Sequence, residues 1–184
     1  METATLATLM DVALDYAGYV PTRAATRRGI PAGRLVSLAH RGSIERVGHG
    51  LYRMPNYPID HNDDLILAVL WTNQRGAISH ETALRFYELA DVNPNGIDIA
   101  IPADYRIGKE GGDAYRLHRG DLGTNVRTVD GVRVVDVFTA VAGAIEQGVG
   151  DALVRQATDK GRRLGWITKQ HADQLHEMRA HPNG

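Results

Sequence analysis

The residues of this sequence best suited to chemistry are basic and lie near the N-terminus. Residues 18–57 contain seven arginines and a single acid, Glu45, so this segment carries a formal charge of +6. The whole chain carries −1, which leaves −7 for the other residues. The planar guanidinium of arginine binds phosphate and the edge of guanine bidentately. A basic segment in a nearly neutral protein is typical of a nucleic-acid contact, and a solvated basic surface is the plain alternative.

Local patterns predict the elements that hold these arginines. Apolar spacing predicts helices over 4–17, 23–28 and 31–40, each ending within two residues of a glycine. Two short strands follow, 44–47 and 51–54, joined by the turn Gly48-His49-Gly50. Three helices with a tight turn between the second and third, followed by a β-ribbon, form the winged helix-turn-helix pattern. Residues 1–57 are therefore predicted to be a DNA-binding domain of this type.

A helical wheel of the third helix predicts which of its sides meets DNA. At about 100° per residue, Arg34, Ser37 and Arg41 fall on one side, and Leu38 lies at the border. An amphipathic surface helix with no ligand would show the same division. The residues predicted to pack on the first two helices are Ala32, Leu35, Val36 and Ala39.

The hairpin is predicted to be the wing. Its apolar residues do not alternate strictly, which predicts a bulge, and its two tip glycines are expected to supply positive φ angles. Its basic side chains would reach the phosphate backbone or the minor groove. The DNA contacts predicted for the whole domain are Arg23, Arg28, Arg34, Ser37, His40, Arg41, Arg46, His49 and Arg53.

The remainder, residues 62–184, is predicted to be a mixed α/β domain that ends in helices, which makes the chain α+β. The clearest signal is a hairpin over 125–137 that turns at Asp130-Gly131. A flexible loop is expected at 106–113. Further strands are predicted over 77–79, 96–102 and 114–120, and helices over 64–73, 81–89, 137–147, 151–163 and 168–179.

Motifs for catalysis are weak in this second domain. The chain has no cysteine, and its eight histidines show no HExxH spacing. Ser79 and His80 are neighbours in sequence, and such neighbours are expected to point apart rather than to form a nucleophile and its base. Acids precede Lys109 without a compact nuclease motif, and phosphate-binding glycine loops are missing. We therefore expect no catalytic residue, metal or cofactor.

A second basic cluster lies near the C-terminus. Lys160, Arg162 and Arg163 occupy the last turn of a predicted helix, where positive charge is favourable in any case. The alternative to this structural interpretation is a second phosphate contact or a surface for a partner.

The chain resembles the AbiEi-type antitoxins of bacterial type IV toxin–antitoxin systems. The similar segments include "RRG", "HRG", "IERVGHGLYRMP", "ISHETAL", "VDGVRVVDVFTAVAGAI" and "GRRLGWITKQHADQL", in the order that the family has. The resemblance implies an N-terminal winged helix that binds inverted repeats in its own promoter and represses the operon. It also implies a C-terminal domain that counteracts a nucleotidyltransferase-like toxin, with direct contact between the two left open. "GIPAGRL" departs from the family pattern, because a Ser or Thr cap is expected at the start of that helix.

Two hypotheses follow from different classes of protein. The first is an autoregulating antitoxin that binds double-stranded DNA. The second is a partner-binding or toxin-modifying protein whose winged helix contacts protein instead. The N-terminus lacks a signal peptide and no segment approaches the roughly 20 apolar residues of a membrane span, so a cytoplasmic protein without a membrane partner is expected.

Overall fold

The chain divides into two compact units, residues 1–63 and 64–184. The computed structural model describes residues 2–59, 61–108 and 111–181, so part of the predicted loop at 106–113 lies outside the described residues. Within these ranges, no helix combines the length and the apolar character needed to cross a membrane.

The first unit contains helices and a small antiparallel sheet. The helices and the hairpin lie within two residues of their predicted positions, whereas the first strand was not predicted. That strand pairs with the second strand of the hairpin, so the sheet order is β1-β3-β2. The elements are α1 (Glu2–Asp15), β1 (Tyr19–Pro21), α2 (Thr22–Arg27), α3 (Ala32–His40), β2 (Glu45–Gly48) and β3 (Leu51–Arg53).

The hairpin is stabilised by the pairing of β3 with β1 and by packing on the helices of this unit. An isolated two-stranded hairpin is marginal in water, but β1 pairs with β3 from Tyr19↔Arg53 to Pro21↔Leu51. The predicted bulge is present, since the register shifts between Arg46 and Gly48. Of the two tip glycines, only Gly50 has a positive φ. The unit's core consists of Leu9, Val12, Ala13, Val20, Ala24, Ala25, Ile30, Leu35, Leu38, Ile44, Tyr52 and Met54.

The second unit is a five-stranded mixed sheet with helices. The sheet order is β6-β5-β4-β8-β7, with β5 parallel to β6 and β4 parallel to β8. The predicted turn at Asp130-Gly131 is confirmed, and both residues have positive φ. The elements are α4 (Asp63–Trp71), β4 (Ala77–Ile78), α5 (His80–Phe86), β5 (Ile97–Pro102), β6 (Tyr115–Gly120), β7 (Val126–Val129), β8 (Val132–Val135), α6 (Val137–Glu146), α7 (Asp151–Arg163) and α8 (Lys169–Ala180).

The interior strand β5 does not show the simple apolar alternation of its sequence. Ile99 and Ile101 are completely buried, but so is Asp98, which faces the opposite side of the sheet. A buried carboxylate is costly unless it is paired and hydrogen-bonded. The partners of Asp98 therefore organise one side of this unit.

Candidate nucleic-acid interface

The orientation of α3 differs from the helical-wheel prediction. Leu38, predicted at the border, is completely buried beside Leu35, whereas Val36, predicted to pack inward, is 44% exposed. On the wheel this turns the buried side by roughly 70° toward Leu38. The wheel failed because it weights every residue equally, while the two leucines supply most of the apolar area that the core can bury.

The exposed side of α3 is formed by Ala32, Gly33, Val36, Ser37 and His40, so Ala32, like Val36, does not pack inward as predicted. Pro31 precedes the helix, which lacks a side-chain N-cap, as the sequence "GIPAGRL" predicted. The Ser37 hydroxyl donates a hydrogen bond to the Gly33 carbonyl 3.0 Å away. A Cβ on Gly33 would meet no atom within 4 Å. This side is therefore small, open and mostly uncharged, and it contains two of the predicted contacts, Ser37 and His40.

The other two predicted residues of this segment pair with an acid on α1. Glu2 Oε2 lies 3.3 Å from Arg41 and 3.8 Å from Arg34, and Glu2 Oε1 accepts a hydrogen bond from Ser43 at 3.2 Å. The Arg34 side chain is 33% exposed and that of Arg41 47% exposed. Both guanidinium groups lie at the edge of the exposed side, where a phosphate could replace the carboxylate.

The arginines of α2 are exposed. Arg23 is freely accessible, and Arg28 forms a 3.6 Å ion pair with Asp15, with half of its side chain in solvent. Arg27, which was not among the predicted contacts, is also exposed and donates a hydrogen bond to the Tyr16 hydroxyl. Exposed ion pairs of this kind contribute little to stability, so these side chains can exchange their partners.

The three predicted DNA contacts of the hairpin differ in their solvent exposure. Arg46 and His49 are exposed near the tip. Arg53 is only 8% exposed and donates hydrogen bonds to the carbonyls of Tyr57 and Pro58, at 3.1 and 3.3 Å. Its guanidinium also lies 5.8 Å from the centre of the Tyr19 ring. The burial of Arg53 does not fit the predicted DNA contact and indicates a structural role, because its guanidinium is held by these carbonyls and lies near the Tyr19 ring of β1.

The second basic cluster lies where it was predicted, in the last turn of α7. Arg162 and Arg163 are exposed and Lys160 is half-buried. The exposed side chains of Leu164 and Trp166 follow directly. The structure thus places apolar groups beside the positive charges, at the C-terminus of a helix where those charges are favourable.

A polar cluster in the second unit was missed by the sequence analysis. Asp98 Oδ1 accepts hydrogen bonds from His118 Nε2 at 2.8 Å and from Gln147 at 3.2 Å. Its Oδ2 accepts from Arg116 at 2.7 Å and from the Thr82 hydroxyl at 3.0 Å. Burial raises the pKa of Asp98, but the hydrogen bonds from His118, Arg116 and Thr82 outweigh it and lower the pKa to about 2.

Ser79 and His80 do meet, against the sequence expectation. Ser79 Oγ lies 2.9 Å from His80 Nδ1, because an extended Ser79 is followed by His80 in the left-handed region, with φ 51°. The imidazole of His80 stacks on that of His118 at 3.5 Å. Burial, and to a smaller extent Coulomb repulsion between the two imidazoles, lowers the pKa of His80 to about 4.

These residues line a cleft of about 470 Å³. At neutral pH His80 is an unprotonated and weak base, because its pKa of about 4 is far below the range that suits general-base catalysis. Ser79 is 2% exposed, which limits access to its hydroxyl. In the described part of the chain, no group of three or more His, Cys, Asp or Glu side chains is placed to hold a metal ion. The geometry is therefore that of a structural polar network, which connects β4, α5, β5, β6 and α6.

Comparison with solved structures shows a similar fold. The structure is similar to the crystal structure of the RV2827C protein from Mycobacterium tuberculosis, with a TM-score of 0.56 and 14% sequence identity over 92% of this chain and 70% of that one. At this identity the similarity shows the fold alone. A search of the curated proteins found no match.

One family model matches part of the sequence. Its description is "Transcriptional regulator, AbiEi antitoxin", and it matches residues 8–55, from within α1 to just past β3. These elements carry the exposed arginines of the first unit. The resemblance that the sequence suggested is thus confirmed over this segment: residues 8–55 match the model of the AbiEi antitoxin family of transcriptional regulators.

Proposed function

We propose that the chain is the antitoxin of a type IV toxin–antitoxin system and represses its own operon by binding promoter DNA. In this proposal the first unit acts as a winged helix-turn-helix, with α3 in the major groove and the β2–β3 hairpin as the wing. The observation that carries the proposal is a coincidence of position. The segment that matches the regulator family, residues 8–55, is also the segment that presents the exposed arginines of α2, α3 and the hairpin.

The geometry of the first unit supports a duplex as the partner. Leu35 and Leu38 fix α3 to the core and leave Gly33, Val36, Ser37 and His40 uncovered. An α-helix fits the major groove of B-DNA, and phosphate contacts to its flanks set the register. Further exposed arginines lie on α2, which contacts α3, and near the hairpin tip, and their side chains are available for phosphate contacts.

The direct test is a fluorescence-anisotropy titration with the duplex upstream of the gene and a scrambled duplex of equal composition, at several salt concentrations. We expect tighter binding to the upstream duplex and a loss of this tight binding in an Arg34→Ala, Arg46→Ala double variant. The matched control is Arg162→Ala, Arg163→Ala, which removes the same charge from the second unit. Equal, steeply salt-dependent binding to both duplexes would contradict sequence-specific repression.

We further propose that the second unit counteracts a nucleotidyltransferase-like toxin and that this activity does not need DNA. Co-expression with the toxin tests the division of labour in the full chain. The Arg34→Ala, Arg46→Ala variant should protect cells as well as the wild type does. Loss of protection in a variant that folds normally would contradict it.

The alternative is a protein that binds or modifies a partner, with the first unit used for protein contact and no preference for the upstream duplex. The cleft beside Ser79 and His80 is the feature that favours modification, although its weak base argues for a structural network. A mass change in the toxin after incubation with the full chain would support this alternative over an antitoxin that is not an enzyme.

A further inference from the structure

The exposed side of α3 carries one apolar side chain whose role the proposed function leaves open. Val36 is 44% exposed, while Leu35 and Leu38 on the same helix are completely buried. A single exposed valine is unremarkable on a protein surface. This one lies on the wheel between Ala32 and His40, which are also exposed, and so within the surface that would face the groove.

Neighbouring residues leave Val36 accessible. Gly33 has no side chain, and a Cβ placed there would meet no atom within 4 Å. The Ser37 hydroxyl is held by the Gly33 carbonyl on its own helix. The nearest positive charges, Arg34 and Arg41, lie at the edge and pair with Glu2. The centre of the surface therefore offers an apolar contact and its edge offers charge.

The partner that fits this distribution is a DNA duplex with a thymine opposite the valine. Phosphates attract the arginines at the edge, which supplies charge complementarity. In the major groove, the C5-methyl group of thymine is the apolar group that a base edge presents. Burying this methyl group against an aliphatic side chain is favourable. Burying it against an arginine or a glutamate that has no polar partner there is not.

We propose that Val36 is a specificity-determining residue of α3 and contacts the C5-methyl group of a thymine in the operator. The inference rests on the proposed function and adds to it the chemistry of the base that is read. It assigns sequence preference to the centre of α3, and general affinity to Arg34, Arg41 and Arg46.

The test removes the methyl groups without changing base pairing. The full chain is titrated with the upstream duplex and with the same duplex in which deoxyuridine replaces every thymidine. Burial of one methyl group corresponds to about a fourfold change in affinity, so the wild type should lose about fourfold per contacted thymine. Val36→Ala should bind the unmodified duplex more weakly and should be nearly insensitive to the replacement.

A matched variant controls for loss of exposed apolar surface. Leu14 is 63% exposed on α1, and Leu14→Ala should keep both the affinity and the full sensitivity to deoxyuridine. Thermal unfolding should show that Val36→Ala folds, since its side chain contributes little to the core.

The outcomes separate the two proposals. Equal sensitivity to deoxyuridine in the wild type and in Val36→Ala would overturn the inference while leaving repression intact, because the methyl effect would then arise from DNA shape. A wild type that prefers its upstream duplex but ignores the replacement would overturn it as well. Failure to prefer the upstream duplex at all would reject the proposed function and the inference together.

Discussion

The carboxylate of Glu2 lies 3.3 Å from the guanidinium of Arg41 and joins the start of α1 to the end of α3. The same carboxylate reaches Arg34 at 3.8 Å and accepts a hydrogen bond from Ser43. Glu2 therefore occupies a position that suits a phosphate oxygen. DNA that contacts Arg34 and Arg41 has to displace this intramolecular competitor.

Replacement of Glu2 by glutamine should strengthen DNA binding. Exposed ion pairs contribute about 0.2–1 kcal/mol, so we expect an affinity gain of up to about fivefold in anisotropy titrations at low salt. The control is Asp11→Asn, an exposed acid on the same helix that changes the net charge equally. An equal gain in both variants would mean that only the overall charge matters, and a loss for Glu2→Gln would mean that Glu2 orients the arginines for binding.

Arg53→Ala should lower the stability of the first unit, whereas Arg46→Ala should reduce the salt dependence of DNA binding. Arg53→Ala removes the buried hydrogen bonds to the carbonyls of Tyr57 and Pro58, which should lower the free energy of unfolding by about 1–3 kcal/mol. Arg46 is exposed, so Arg46→Ala should leave stability unchanged and reduce the slope of log affinity against log salt by about 0.9. Thermal unfolding and salt titrations check the two effects. A stable Arg53→Ala variant that loses one phosphate contact would restore the original prediction for Arg53.

Gly143→Ala should destabilise the second unit although alanine favours helix. An ordinary helical Gly→Ala change gains about 0.5–1 kcal/mol. Here the added Cβ would come within 2.9–3.0 Å of the His80 ring, and that ring is held by Ser79 and His118. Unfolding by denaturant should give a lower midpoint for Gly143→Ala. Gly120→Ala is the control, because a Cβ there meets nothing within 4 Å; an unchanged or higher midpoint for Gly143→Ala would show that the His80 ring moves freely.

Acid should weaken the second unit in two stages. The pKa of His80 falls from 6.5 in the unfolded chain to about 4 in the fold, so the unfolded state binds the proton more readily. Stability is then complete above about pH 6.5 and declines as the pH falls toward 4. The pKa of Asp98 falls from 3.8 to about 2, so its contribution is lost only below about pH 4.

Unfolding midpoints measured between pH 7 and 4 check the first stage. His80→Gln cannot take up the proton and should show a shallower decline than the wild type over this range. An identical slope in both proteins would assign the decline to other groups.

Local sequence determined most of the elements. Glycines end the helices of the first unit, and Asp130-Gly131 sets a hairpin turn because both positions require positive φ. Asp136 caps α6 by accepting a hydrogen bond from the Thr139 amide, and an aspartate directly before a helix is a typical N-cap. These features depend on neighbours along the chain, which a single sequence displays directly.

Tertiary structure decided which side chains are available. The unpredicted strand β1 covers β3 and buries Arg53, and the core selects Leu35 and Leu38 over Val36, so α3 turns a different side outward. In the second unit, the parallel register of β5 and β6 pairs Asp98 with Arg116 and Ala100 with His118. Since alternate residues of a strand share a face, this register brings Arg116 and His118 to the buried carboxylate. The sequence by itself determined a basic N-terminal segment, its family and its local elements. Long-range strand pairing and competition for the core decided the exposed surface and the polar network, because those energies depend on residues far apart in the chain.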